Sequence, residues 1–259
     1  MTILHSIILS IVEGVTEFLP ISSTGHLILA SKILDIAQSD FVKSFEIIIQ
    51  LGAILSVVVL YYKKIFQLET IKKLIVAFIP TAVIGLALYK VVKTYLLGNI
   101  AVVIWSLLIG GILLIILELW YKKKVRDIVD IESESKLPSY KQSFLIGLAQ
   151  SVAVVPGVSR SASTIAGGLL LGMSRKSIVE FSFLLAVPTM AAASGLDIVK
   201  NYKLFTTENL LSLIIGFVGS FIVAIFSIKF LLGFIKKYDF IPFGVYRIVI
   251  ALIFLLLIL

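Results

Sequence analysis

Apolar residues run along this chain in long blocks. Six blocks, at 45–62, 74–90, 100–120, 178–196, 210–229 and 241–259, approach the run of about 20 apolar residues that a helix needs to cross a bilayer. Two further apolar regions, 3–34 and 144–171, are broken near their middles by "LPISSTGH" and "VPGVSRSAST". In hydrocarbon a broken backbone survives only where protein or a water-filled cavity satisfies its polar groups. The pattern therefore predicts six transmembrane helices and two re-entrant helix–turn–helix hairpins, each dipping into the membrane and returning to the same side.

The two broken regions also predict an internal repeat. Pro20 and Pro156 lie 136 residues apart, and so do Phe45 in "SFEIIIQLGAI" and Phe181 in "EFSFLLAVPTM". Each half, 1–121 and 142–259, then reads as one hairpin plus three spans within a single membrane domain. Three is odd, so the second half starts on the opposite face. That is an inverted-topology repeat, and its functional site is expected near the midplane where the halves meet.

Composition sharpens the class. The 259 residues are 59% hydrophobic and 15% charged, and the mean hydropathy is +1.12. A soluble domain carries about 25% charged residues, so the expected fold is an all-α integral membrane protein. There is no cysteine, which excludes disulfides, thiolate chemistry and cysteine-held metals. The start, "MTILHSIILSIVEG", lacks a basic segment and a small-residue cleavage site, so no removed signal peptide is expected.

The net charge of +8 fits lysine-rich cytoplasmic loops rather than nucleic-acid binding. One side of the predicted topology holds fifteen basic residues: Lys63, Lys64, Lys72, Lys73, Lys122, Lys123, Lys124, Arg126, Lys136, Lys141, Arg175, Lys176, Lys229, Lys236 and Lys237. The other holds six, Lys32, Lys43, Lys90, Lys93, Lys200 and Lys203. The positive-inside rule places the first set, and the 121–142 linker, in the cytoplasm. Both termini and the mouth of the first hairpin then face outward.

The polar groups in the breaks carry the chemistry. Glu13 and Glu17 are spaced i, i+4, which puts them on one helix face that Pro20 ends. Ser22, Ser23 and Thr24 follow, able to cap a return helix whose open N–H groups favour an anion. His26 lies early on that helix. Carboxylates deep in a membrane are costly, at least about 2.5 kcal/mol each, and usually mark a site or a pathway. In the second break Arg160 sits among Ser159, Ser161, Ser163 and Thr164. A planar guanidinium among hydroxyls suits a phosphate, and equally a buried ion pair with Glu13 or Glu17. Together these groups point to phosphate-ester or anhydride hydrolysis, or to anion transport, on an amphiphilic substrate.

Two motifs resemble those of a known family. "EGVTEFLPISSTGH" (13–26) and "PGVSRSAST" (156–164) are similar to the signatures of the bacterial undecaprenyl-diphosphatases of the BacA/UppP type, and "EFSFLLAVP" and the length agree. The resemblance implies a hydrolase of the bacterial cytoplasmic membrane. It would convert undecaprenyl diphosphate to the monophosphate plus phosphate, recycling the carrier lipid for peptidoglycan and other envelope polymers. Bacitracin tolerance would follow, because that antibiotic competes for the lipid substrate rather than binding the protein. The carry-over implies Glu13, Glu17, Ser23, His26 and Arg160 as catalytic residues. Ser22, Thr24, Ser159, Ser161 and Thr164 become phosphate contacts. A divalent cation, Mg2+ or Ca2+, is also implied, with Glu13 and Glu17 as its only protein ligands. No organic cofactor or nucleic-acid partner is expected, and the oligomeric state stays open.

For the nucleophile three choices remain: Ser23 with His26 as its base, His26 itself, or a water activated by Glu17. Ser23 is preferred. Glu46, Glu118 and Glu180 lie near span ends, Gln50 lies deeper, and Arg247 is expected to snorkel to the surface or pair internally. The rival to a hydrolase is a polyprenyl-phosphate flippase, since broken helices and inverted repeats are transporter architecture.

Overall fold

The computed structural model describes residues 1–37, 39–96, 98–125, 136–201 and 207–258, and among these every regular element is helical. Helix α1 (Ile3–Thr16) opens on a capping box between Thr2 and His5. It stops just before the Glu17–Pro20 turn, where the proline cannot continue it. The chain reverses into α2 (Ser23–Ile33) and then enters α3 (Asp40–Leu60). A single turn, α4 (Tyr62–Ile65), leads to α5 (Leu68–Val91), which runs into a π-helical turn before α6 (Ile100–Val125).

The second half repeats that order. Helix α7 (Tyr140–Gln150), capped by Ser139 and Gln142, passes through a 3-10 turn (Ser151–Val154) and reverses into α8 (Arg160–Leu170). Then follow α9 (Arg175–Asn201), α10 (Thr207–Phe234) and α11 (Ile241–Ile258). The expected cytoplasmic linker 121–142 falls partly on 126–135, which lie outside the described residues, as does Lys203.

Helix lengths fix what crosses. Helices α1, α2, α7 and α8 have 14, 11, 11 and 11 residues. At about 1.5 Å per residue none reaches across about 30 Å of hydrocarbon. Both broken regions are thus hairpins of short helices. Five helices, α3, α5, α6, α9 and α10, are long and apolar enough to span. The sixth expected span, α11, is the shortest at 18 residues, or about 27 Å of rise.

The outer surface is apolar, with Leu86, Val83 and Phe226 each more than half exposed. So many large apolar side chains facing outward would be untenable in water and are ordinary against lipid. This is a multi-pass, all-α membrane protein. Small residues let the helices approach. A Cβ at Gly52 would overlap the Phe217 carbonyl of α10, and one at Gly147 would overlap the Ala77 carbonyl of α5. Hydroxyls cross the same seams: Ser220 donates to the Ile49 carbonyl at 2.7 Å and Ser227 to the Val15 carbonyl at 2.8 Å. The hairpins pack on the partner half, α1 against α10 and α7 against α5, while α3 meets α9 and α6 meets α11. The two turns are thereby brought together in the interior.

Candidate active site

Each turn ends in a serine with a backbone that serine seldom adopts. Ser22 has φ 73° and Ser159 has φ 79°. Strain of this kind persists only where surrounding bonds impose it, and it clusters at functional sites. Both serines cap their return helices. Ser22 Oγ accepts from the Gly25 N–H at 3.3 Å and Ser159 Oγ from the Ala162 N–H at 3.2 Å. The next residue, the first of each return helix, is Ser23 in one turn and Arg160 in the other.

Glu17 joins these two residues. The Ser23 hydroxyl donates to Glu17 Oε2 at 2.5 Å. Arg160 Nη2 donates to Glu17 Oε1 at 2.8 Å, while Nη1 donates to the Ser182 carbonyl at 2.8 Å. The guanidinium lies over the Phe18 ring, and its Nε finds no acceptor. All three side chains line a cavity of about 300 Å³. Ser22, Thr24 and Ser159 line it too, as do Gln50, Thr81, Gln150 and Thr189. Its remaining wall, from Ala153 to Pro156 with Met190 and Ala193, is mostly apolar.

Four of the expected site residues lie outside that lining. Ser161 was expected to contact phosphate, but its hydroxyl donates to the Leu19 carbonyl at 2.8 Å and ties one turn to the other. Thr164 is fully buried and shares a 2.6 Å bond with Ser182, behind Arg160. His26 was expected to take the Ser23 proton, and that contact is not formed. Its Nδ1 donates to the Ser22 carbonyl at 2.7 Å, so in the neutral ring Nε2 accepts from the Tyr246 hydroxyl at 2.9 Å. The fourth is Glu13. It is fully buried, and both carboxylate oxygens lack a hydrogen-bond partner. The charges acting on it are those of Glu17, Glu46 and Arg160.

Some site residues carried little signal in the sequence. Gln150 donates to the Thr81 and Thr189 hydroxyls at 2.8 and 3.2 Å. Threonine and glutamine inside apolar helices are common, and only the fold gathers these three. Arg247 does not snorkel but is satisfied internally, by carbonyls rather than, among the described residues, by a carboxylate. It is fully buried and donates to backbone carbonyls of both turns.

The fold and cavity define a polytopic helical membrane protein whose two buried turns present a hydroxyl, a carboxylate and a guanidinium in one chain of bonds. The chain belongs to the family described as bacitracin resistance protein BacA, which matches residues 6–253. Its relatives include the undecaprenyl-diphosphatase of Persephonella marina, 53% identical over all of both chains. Those of Aquifex aeolicus and Methanococcus aeolicus are 51% and 45% identical, each covering 98% or more of both chains.

Proposed function

We propose that this protein hydrolyses undecaprenyl diphosphate to undecaprenyl phosphate and inorganic phosphate, and so recycles the carrier lipid that bacitracin would otherwise sequester. The observation that carries the mechanism is the Ser23–Glu17–Arg160 chain of bonds facing a cavity inside the membrane domain. Glu17 takes the Ser23 proton, and Ser23 Oγ attacks the terminal phosphorus. The bond from that phosphorus to the bridging oxygen breaks, and the lipid monophosphate leaves. Arg160, whose guanidinium lines the cavity, holds the transferring phosphoryl group and steadies the charge that develops. Glu17 gives the serine proton to the departing bridging oxygen. Water then attacks the phosphoserine, Glu17 taking the water proton and returning it to Ser23 Oγ as the phosphorus–Oγ bond breaks. Inorganic phosphate leaves and the serine is restored. Ser22, Thr24 and Ser159 lie within the same lining as further contacts, and His26 fixes the Ser22 turn.

The residues fit a divalent cation. Glu13 offers two buried oxygens without donors beside the Glu17 carboxylate, an oxygen set that a hard cation favours. Glu13 and Glu17 would hold it; among the described residues no group of three or more His, Cys, Asp or Glu is gathered for a metal. When bound, such a cation would supply neutralising charge for the diphosphate.

The two halves are inverted copies, and the pairing of helices supports this. Exchanging α1, α2, α3, α5 and α6 for α7, α8, α9, α10 and α11 turns the α1–α10 contact into α7–α5, and α3–α10 into α9–α5. It leaves α3–α9 and α6–α11 unchanged. The protein sits in the cytoplasmic membrane with its cavity toward the outer leaflet, where the basic asymmetry places the first hairpin.

The test is phosphate release by the purified protein from undecaprenyl diphosphate in detergent. Stoichiometric monophosphate and phosphate are expected. A folded protein that binds the lipid without releasing phosphate would refute the reading.

A further inference from the structure

Among the described residues Arg247 is the largest fully buried side chain, and it sits about two turns into α11. Among the described residues no carboxylate lies within ion-pair distance of it. All five of its N–H directions are instead used on carbonyls. Nε donates to Leu107 at 3.4 Å, and Nη2 donates to Ser106 and Gly157, both at 3.1 Å. Nη1 donates to Pro20 at 3.2 Å and to Val158 at 3.0 Å. That one nitrogen therefore bridges the two turns. Pro20 lies three residues before Ser23, and Val158 two before Arg160. The socket is built for this group, since a Cβ at Gly110 would overlap Nη2.

We propose that Arg247 is a positioning residue for the reaction. It locks the first turn to the second, so that the Ser23 hydroxyl and the Arg160 guanidinium meet one phosphorus atom. The inference rests on the hydrolase reading above. Two features separate it from general packing. Three of the five acceptors belong to the reactive turns rather than to neighbouring helices. The geometry also needs a planar fork with five donors, which lysine, a point charge with three, cannot reproduce. Ser161 and Arg160 make other links between the turns, so loss of Arg247 should loosen the register without separating the hairpins. Misplacing reacting groups by about 1 Å costs on the order of a hundredfold in rate. Substrate binding, shared among many cavity residues, is affected far less.

The experiment compares wild type, Arg247→Lys and Gly110→Ala as full-length purified proteins, with kcat and KM measured on undecaprenyl diphosphate and folding checked by thermal melting. In Gly110→Ala the charge remains but the socket is filled. The expected result is a fall in kcat of about a hundredfold in each variant, with KM changed by less than about threefold. If Arg247→Lys does not fold, Gly110→Ala decides by the same split. A folded variant with wild-type kcat, or one that changes only KM, would overturn the role of Arg247 while leaving the hydrolase intact. Failure of the wild-type protein to release phosphate would overturn both.

Discussion

A serine hydroxyl attacks phosphorus poorly until a neighbouring base takes its proton. In the proposed mechanism that base is Glu17, whose Oε2 accepts from the Ser23 hydroxyl at 2.5 Å. Ser23→Ala removes the only atom that can form the phosphoserine, so phosphate release should fall roughly a thousandfold or more, with the fold unchanged. Glu17→Gln keeps the size but cannot accept the proton, and about 10²–10⁴-fold should be lost. Arg160→Lys keeps the charge and loses the fork, so turnover should drop by about a hundredfold or more; near wild-type turnover would reduce Arg160 to a counter-ion for Glu17. His26 acts one step further back, through the Ser22 carbonyl. Tyr246→Phe deletes the bond to its Nε2 and should cost less than about tenfold in turnover, far less than Glu17→Gln. An equal loss would return His26 to the role of base. At this scale the candidate residues that meet at the cavity, Glu17, Ser23 and Arg160, were legible in the sequence because they stand out against it: polar and ionisable groups beside proline turns inside apolar helices. Their partners were not. Ser23 and His26 stand three residues apart, a spacing that suits a relay, yet the Ser22 carbonyl draws the ring away. Spacing sets which groups can meet, and competing backbone acceptors decide which do.

The elements that hold these residues are short helices whose first turns must be capped in a medium that offers few alternatives. Ser22 and Ser159 do this at positive φ, where a residue without a Cβ would be more at ease. The cap and the backbone strain therefore oppose each other, and substitutions separate them. Ser159→Ala loses the cap and keeps the strain, so it should destabilise the protein by about 1–2 kcal/mol. Ser159→Gly loses the cap but relieves the strain, so its melting temperature should stay closer to wild type than that of the alanine variant. The reverse order would show that the positive φ of Ser159 stores less strain than the chain entropy that glycine adds. The hairpins themselves were readable from the chain, because each break combines proline with a cluster of hydroxyls, whereas the lone Pro80 and Pro188 sit inside continuous spans. Cavity residues such as Thr81, Gln150 and Thr189 were not, since each lies singly in an apolar helix and only the packing of α5, α7 and α9 brings them together.

At the scale of the whole molecule, the proposed repeat explains how one site draws on both halves. Ser23 and Arg160 occupy the same place, the residue after a positive-φ serine cap, so in the proposed mechanism the first half supplies the nucleophile where the second supplies the anion clamp. Gly110 and Arg247 are likewise 137 residues apart, the separation of Ser22 from Ser159, and they touch where α6 crosses α11. In the proposed repeat Gly110 is the counterpart of Arg247, and it has to be small because a Cβ there would overlap the guanidinium. Inversion has a consequence that can be measured. An odd number of spans separates the two hairpins, so their mouths must open on opposite faces. Lys43, at the start of α3, should lie outside, and Lys136, just before α7, in the cytoplasm. Both are solvent-facing, and the chain has no cysteine to confuse labelling. In intact cells an impermeant maleimide should modify Lys43→Cys and spare Lys136→Cys until the membrane is opened. Labelling of both from outside would place the hairpins on one face and remove the inversion, and labelling of Lys136→Cys alone would turn the cavity toward the cytoplasm.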